Sequence, residues 1–311
     1  VSIGFIFIDG FGMGDDDPET NPFFHAQTPF LDKLLQGFRL TRVIEEITMS
    51  NYRIIPTDAN LDTAGLPQSA TGQTSLLTGK NAAQIIGRHL NGYPSPNLVN
   101  LINEQNILKY FVNSGADVIL ANAYSPEYFE MIETGKRKHA AIAIASMSAN
   151  LPFLSIDDMC QGNAVYQDIT NRLLIDRGHQ VNRRTPNEAG KLMAKIIENH
   201  DFTMFEYFQS DIIGHKQCLA DAVEIIETLD AFMGSLMNTL SWADNTIIIT
   251  SDHGNIENYR IKTHTRNPVP TMVLGDLTGV MREKICSITD VFEYLKLIHQ
   301  MSKEKRKVND S

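Results

Sequence analysis

The residues able to do chemistry recur where apolar runs end. Asp252 and His253, followed by Gly254, come directly after the β-branched run Thr246–Thr250. A carboxylate oxygen beside an imidazole nitrogen suits a borderline divalent ion such as Zn²⁺ or Mn²⁺. Asp9 ends the opening run Val1–Ile8, and Asp211 and His215 follow Phe202–Phe208 at i,i+4 spacing, which shares one face if the turn is helical. His264 heads a proline-rich stretch to Pro270, and Ser69 lies in a hydroxyl-rich loop, Gly65–Gly79, that leads into a helix. A helix N-terminus favours an anion, and a serine there can be an activated nucleophile. Taken singly, each has a plainer reading as an Asp-Gly turn, a helix cap or a surface histidine. Together they put oxygen and nitrogen donors in loops at one edge of a parallel sheet, the pattern of a dinuclear metal site. Two such ions can hold the attacking and leaving oxygens of a phosphoryl group.

The elements that must position these donors alternate helix with strand. Continuous apolar runs at Val1–Ile8, Ala116–Ala121, Phe202–Phe208 and Thr246–Thr250 read as buried strands, with a brief one at Met272–Leu274. Thr28 with Pro29 and Thr185 with Pro186 and Glu188 are helix starts, the second a capping box opening a helix to Ile197. Asn103–Ser114 reads as helix and Ala220–Leu240 as a long amphipathic helix. His139–Ser148 is open between helix and strand, and Leu151–Val181 reads as one or two helices. Thr289 caps a last helix to about Met301, and residues 303–311 are expected to fray. The predicted fold is α/β: three α/β/α layers around a mostly parallel sheet, one domain over 1–302, with a small cap inserted within 90–185.

Composition narrows the function. Of 311 residues 42% are hydrophobic and 21% charged, the values of a globular chain, and the net charge of −10 argues against a nucleic-acid or anionic-membrane partner. An acidic protein still binds an anionic substrate where metals supply local positive charge. Three cysteines, Cys160, Cys218 and Cys286, are far apart and form no disulfide framework. The opening run is too short for a bilayer and lacks a basic flank, so a cytoplasmic setting is expected.

In order, Asp9, the Ser69 loop, Asp211-x-x-x-His215, Asp252-His253-Gly254 and His264-Thr265-Arg266-Asn267-Pro268-Val269-Pro270 resemble the motifs of the alkaline phosphatase superfamily. The resemblance is to its cofactor-independent phosphoglycerate mutase and phosphopentomutase branch, over about 1–85 and 185–300. It implies one metal held by Asp9, Ser69, Asp252 and His253, and a second by Asp211, His215 and His264. It also implies Ser69 as the nucleophile, passing through a phosphoserine, with Thr71 the less favoured hydroxyl.

Two departures bear on the activity. The mutases carry a large insertion between nucleophile and second Asp, and here little room remains for one. The histidine of their nucleophile motif is Gln73 here. Sulfatases carry Arg four residues after the nucleophile, and that position is also Gln73. The expectation is a phosphatase or phosphodiesterase on a small phosphorylated substrate, using two Mn²⁺ or Zn²⁺ ions. A phosphomutase and a non-catalytic binding protein are the alternatives. Lys80, Arg88, His89, Lys262 and Arg266 are the basic residues nearest the motifs in sequence and are the candidate phosphate contacts.

Overall fold

A computed structural model describes residues 2–275 and 283–309; Val1, Asp310 and Ser311, which the strand and tail readings included, lie outside them. Among the described residues ten strands form: β1 (Ser2–Ile8), β2 (Ile47–Thr48), β3 (Tyr52–Thr57), β4 (Val118–Leu120), β5 (Asn122–Tyr124), β6 (Leu154–Ser155), β7 (Val165–Tyr166), β8 (Phe202–Tyr207), β9 (Asn245–Thr250) and β10 (Val269–Gly275). The main sheet has the order β2-β3-β10-β9-β1-β8-β4. Its four strands β9, β1, β8 and β4 are parallel, whereas β10 runs antiparallel to β9 and β3, and β2 to β3. The sheet is therefore mostly but not wholly parallel, with helices on both faces.

The two-residue period of a strand assigns each side chain to a face. Ile6, Ile8, Phe205, Tyr207, Ile247 and Ile249 face the helices Pro186–Glu198 and Leu219–Thr239. Phe5, Phe7, Phe202, Met204 and Ile248 face the other way, into a core shared with Leu76, Leu77, Phe111 and Leu295 of the second helical layer. Continuing that alternation one step past the strand ends puts Asp9 and Asp252 on this second face, and Glu206 reaches it from within β8. Phe7 pairs with Glu206 across the β1–β8 ladder. The carboxyl ends of the parallel strands thus gather three acids over one helical layer, where open α/β sheets keep their ligands.

The capping box at Thr185–Glu188 forms as the sequence predicts. Thr28 precedes the helix Pro29–Leu34 without a side-chain bond to its amides, its hydroxyl going instead to Asp32 at 2.9 Å. The stretch expected as one helix over Asn103–Ser114 is two, Pro96–Glu104 and Ile107–Asn113, because Asn106 caps the second through the Lys109 amide at 3.0 Å. His139–Ser148 resolves to the helix Ala141–Ser148. Leu151–Val181 holds two five-residue helices but also β6 and β7, which the helical reading missed. These strands pair with β5 in a second, three-stranded parallel sheet and are too short to show a period. The last helix runs Asp290–Asn309, through the charged residues from Lys303 that were expected to fray. Among the described residues no helix is long and apolar enough to cross a membrane.

Candidate metal centre

Four local structures bring the predicted donors together. After β1 the chain turns at Asp9-Gly10 with Gly10 at φ +68°, a conformation that costs a side-chain-bearing residue. A Cβ there would stand 2.9 Å from Asp211 Oδ1, so the glycine also admits the second acidic loop. Ser69 is the first residue of the helix Ser69–Thr78. Asp211 lies in the short helix Gln209–Gly214, which gives it the i,i+4 relation to His215. Asp252 and His253 follow β9 and are fully buried, and His264 comes back over them, its ring stacked on His253 at 3.7 Å between centroids.

The donor atoms form two adjoining groups. In the first, His253 Nε2 lies 3.1 Å from Ser69 Oγ, 3.3 Å from Asp9 Oδ1 and 3.4 Å from Asp252 Oδ2. In the second, Asp211 Oδ1 is 3.3 Å from His264 Nε2, Asp211 Oδ2 is 3.4 Å from His215 Nε2, and the two imidazole nitrogens are 3.3 Å apart. The remaining ring nitrogens are held from behind, His264 Nδ1 by the Pro67 carbonyl at 2.7 Å and His215 Nδ1 by the Lys262 carbonyl at 2.5 Å. Such bonds fix which nitrogen faces the site.

Several observations fit these groups to cations. Asp9 Oδ1 and Asp252 Oδ2 are buried and accept no hydrogen bond from the described residues. Ligands at the bond lengths of Zn²⁺ in a tetrahedron are separated by about 3.3 Å, which is the spacing seen. Electrostatics agree. Burial, then the neighbouring charges of Asp252 and Asp211, push the Asp9 carboxyl well above the usual carboxylate range. Burial and Asp211 push Asp252 up to about 7. Burial also opposes ionisation of Asp211, but hydrogen bonds from His215 and His264 outweigh it and hold that carboxyl down. His253 is lowered to about 3, by burial and then by the charge of His264. Buried acids that repel one another beside a neutral imidazole form a site that positive charge would relieve.

Glu257, which carries no signal distinguishing it from a surface charge in the sequence, braces the centre. It is fully buried, and its carboxylate accepts from the amides of Gly12 (3.1 Å) and Asn255 (2.7 Å), from Asn267 Nδ2 (3.1 Å) and from the Thr265 hydroxyl. One side chain therefore ties the loops bearing Asp9, Asp252–His253 and His264. Gln73 is equally committed, donating to Asp9 Oδ2 at 3.0 Å. Thr71 is spent on structure, bonding the Gln68 carbonyl and the Leu90 amide.

The first donor group opens on a cavity of about 270 Å³. Ser69, Asp9 and Asp211 line its floor, and the second sheet with its helices supplies much of the wall. None of the five basic residues proposed from the sequence lines this cavity. Lys80 is exposed at the far end of the Ser69 helix, about 15 Å along its axis. Arg88, Lys262 and Arg266 are exposed, and His89 leans on the Thr63 carbonyl at 3.3 Å. Proximity in sequence did not fix direction in space. The basic residues that do line the cavity are Arg137, whose guanidinium lies over the Tyr128 ring at 5.2 Å, and Arg177, which donates to Tyr166 Oη at 3.0 Å.

A three-layer α/β/α fold with two adjoining Asp/His groups at the carboxyl edge of its sheet, the first of them buried, is the frame of a metal-site protein. A family model described as the Metalloenzyme superfamily matches residues 2–293, and the chain belongs to that family. Over 101 residues it is 29% identical to the 2,3-bisphosphoglycerate-independent phosphoglycerate mutase of Desulforudis audaxviator, a match covering 30% of this chain and 20% of that protein. The matched part thus spans about a fifth of the curated relative. The structure of the PH0037 protein from Pyrococcus horikoshii superposes over 96% of both chains with a TM-score of 0.57 and 14% identity, a likeness of fold. The alkaline phosphatase from the Antarctic bacterium TAB5 covers 96% of this chain and 97% of its own, at a TM-score of 0.47 and 12% identity.

Proposed function

We propose that the protein is a phosphoryl-transfer enzyme working with two divalent ions, Mn²⁺ or Zn²⁺, and that it hydrolyses a phosphomonoester or phosphodiester of a small soluble substrate through a phosphoserine at Ser69. The observation that carries this reading is Ser69 Oγ, at a helix start, 3.1 Å from His253 Nε2 in the Asp9–Asp252–His253 group and at the floor of the cavity. Asp9, Ser69, Asp252 and His253 would hold one ion, and Asp211, His215 and His264 the other. Bound ions would supply a lowered serine pKa and charge neutralisation on the phosphoryl oxygens.

The chain's own residues do the rest. Ser69 Oγ gives its proton to solvent and bonds to phosphorus while the ester P–O bond breaks, and the leaving oxygen takes a proton from solvent as it departs. The Ser69–Thr78 helix directs its positive end at the phosphoryl group. Arg137 and Arg177 flank the cavity where the anionic substrate lies, and Gln73 keeps Asp9 from turning away. Water then breaks the Ser69–phosphorus bond, restoring the hydroxyl and releasing inorganic phosphate. A phosphomutase is the second reading, favoured by the mutase relatives and by the two guanidiniums, which would hold a substrate that must stay bound. Three free, well-separated cysteines, two of them exposed, suit a reducing cytoplasm.

The test measures metal content and p-nitrophenyl phosphate turnover with added Mn²⁺ or Zn²⁺, for the parent protein, Ser69→Ala and Asp252→Asn. Two equivalents of metal, with turnover lost in both variants, is the expected result. Bound metal with neither turnover nor phosphoserine points to a binding role, and phosphoserine without phosphate release to a mutase. Absence of metal refutes the reading.

A further inference from the structure

One acidic side chain in the cavity belongs to neither donor group. Glu206 is 8% exposed and lines the cavity with Ser69, Asp9 and Arg137. Its carboxylate accepts no hydrogen bond and makes no ion pair within 4 Å among the described residues, although Arg137 is near enough to act on its charge. It also stands outside both clusters whose ligand atoms lie within 4.8 Å of one another. Its backbone is pinned on both sides: the Glu206 amide donates to Asn122 Oδ1 and the Glu206 carbonyl accepts from Asn122 Nδ2, each at 2.8 Å. The β8 alternation then aims the side chain to the face of Phe202 and Met204, towards the cavity. A methionine here would continue the core at lower cost, since a buried polar group without a partner is destabilising. A rigidly mounted acceptor beside the reacting serine is what a site built to read a donor group would hold.

We propose that Glu206 is a specificity-determining residue: its carboxylate accepts a hydrogen bond from a hydroxyl or ammonium group on the leaving group, so that phosphate esters of hydroxy- or amino-alcohols are taken in preference to plain alkyl esters. The rest of the chamber fits such a leaving group. Tyr124, Met131, Ala140 and Ala143 offer apolar contact for its carbon chain. Sites that bond a substrate hydroxyl or amine reject the analogue lacking it far better than apolar pockets reject an extra methylene.

This inference rests on the hydrolase reading, and the experiment separates the two. Metal-loaded enzyme is assayed at about pH 9, above the value of about 8 to which burial and Asp252 push the Glu206 carboxyl, for phosphate release from 2-aminoethyl, 2-hydroxyethyl and propyl phosphate, with p-nitrophenyl phosphate alongside. The parent protein should prefer one donor-bearing ester over propyl phosphate by about 10- to 100-fold in kcat/KM, the worth of a hydrogen bond to a charged group. Glu206→Met should bring that ratio to about 1. Glu206→Gln, which keeps an acceptor but no charge, should retain a preference for the hydroxyl ester and lose one for the ammonium ester, which tells the two donors apart. Metal content measured on each variant keeps a misfolded protein from being read as a result. A ratio near 1 in the parent, an unchanged ratio in Glu206→Met, or no turnover of any of the three by enzyme that hydrolyses p-nitrophenyl phosphate overturns the proposal. Loss of p-nitrophenyl phosphate turnover as well marks failure of the hydrolase reading instead.

Discussion

Gly72 lies one turn into the Ser69 helix, against the loop that carries Asp252. A Cβ at Gly72 would stand 2.8 Å from the Asp252 carbonyl oxygen and 3.0 Å from its Cβ, where ordinary contact starts at 3.4 Å. Gly72→Ala must therefore part helix and loop by about 0.6 Å, because both contacting groups are held by main chain in a close-packed interior. That displacement falls between Ser69 and His253, the pair on which the proposed chemistry depends. Catalytic groups need to be held within about 0.5 Å, and a misplacement of about 1 Å costs on the order of 100-fold. A loss of roughly 30- to 100-fold in kcat/KM is expected. Stability should change much less: overpacking costs about 1–3 kcal/mol, and the helix preference for Ala over Gly offsets about 1 kcal/mol of it. The assay is p-nitrophenyl phosphate turnover by metal-loaded protein, with Tm and metal content on the same samples. Parent-like kcat/KM in a folded, metal-loaded Gly72→Ala protein would refute the claim that the Ser69–His253 separation is set by this contact.

Asp252→Asn should act with opposite signs on fold and function. It removes a carboxyl whose ionisation is opposed by burial and by Asp211, raising the Tm of metal-free protein, while binding of the first metal and turnover are lost; a lowered metal-free Tm would contradict this. Metal-free protein should lose stability as pH rises from about 6.5 to about 8. In that window the folded state binds more protons than the unfolded one, at Asp252 and Glu206 with values near 7 and 8 and at the raised His215 and His264, so thermal melts in chelator should fall with pH. Glu257→Gln turns an amide NH₂ towards hydrogen-bond donors on one side of the carboxyl and should cost about 3 kcal/mol or more, read as a drop in urea midpoint at unchanged m-value. Arg137→Met should raise KM for a phosphate ester by about 10- to 100-fold with a smaller effect on kcat; an unchanged KM would remove Arg137 from the substrate wall.

The convergence of these side chains was legible in the sequence because each is written locally. Asp9, Asp211 and Asp252 are one to three residues past an apolar run, and chain direction alone delivers such positions to the same sheet edge. The helix that bears Ser69 starts at Ser69 itself, so its approach to His253 also follows from local structure. The cavity wall was not legible. Arg137, Arg177 and Tyr124 come from 122–181, where strands of two or three residues show no period, and Glu206 looks like a polar interruption in an aromatic strand until Asn122 docks on it. Charged residues near a motif, such as Lys80 and Arg266, carried no information about direction, since a helix length or a loop reversal decides which way they point.

The charge balance gives the two halves of the site a common logic. A chain of net charge −10 that gathers Asp9, Asp211, Asp252 and Glu206 at one sheet edge offers a phosphate ester no long-range attraction. Local positive charge must supply it at contact range. Arg137 and Arg177 bring two charges to the cavity against four acids, so on the proposed reading a phosphoryl group at Ser69 is neutralised only if the two donor groups also hold cations. The same buried acids that make the metal-free site electrostatically costly thereby make phosphate binding conditional on metal, and Glu206, outside both groups, is left to face the part of the substrate that departs.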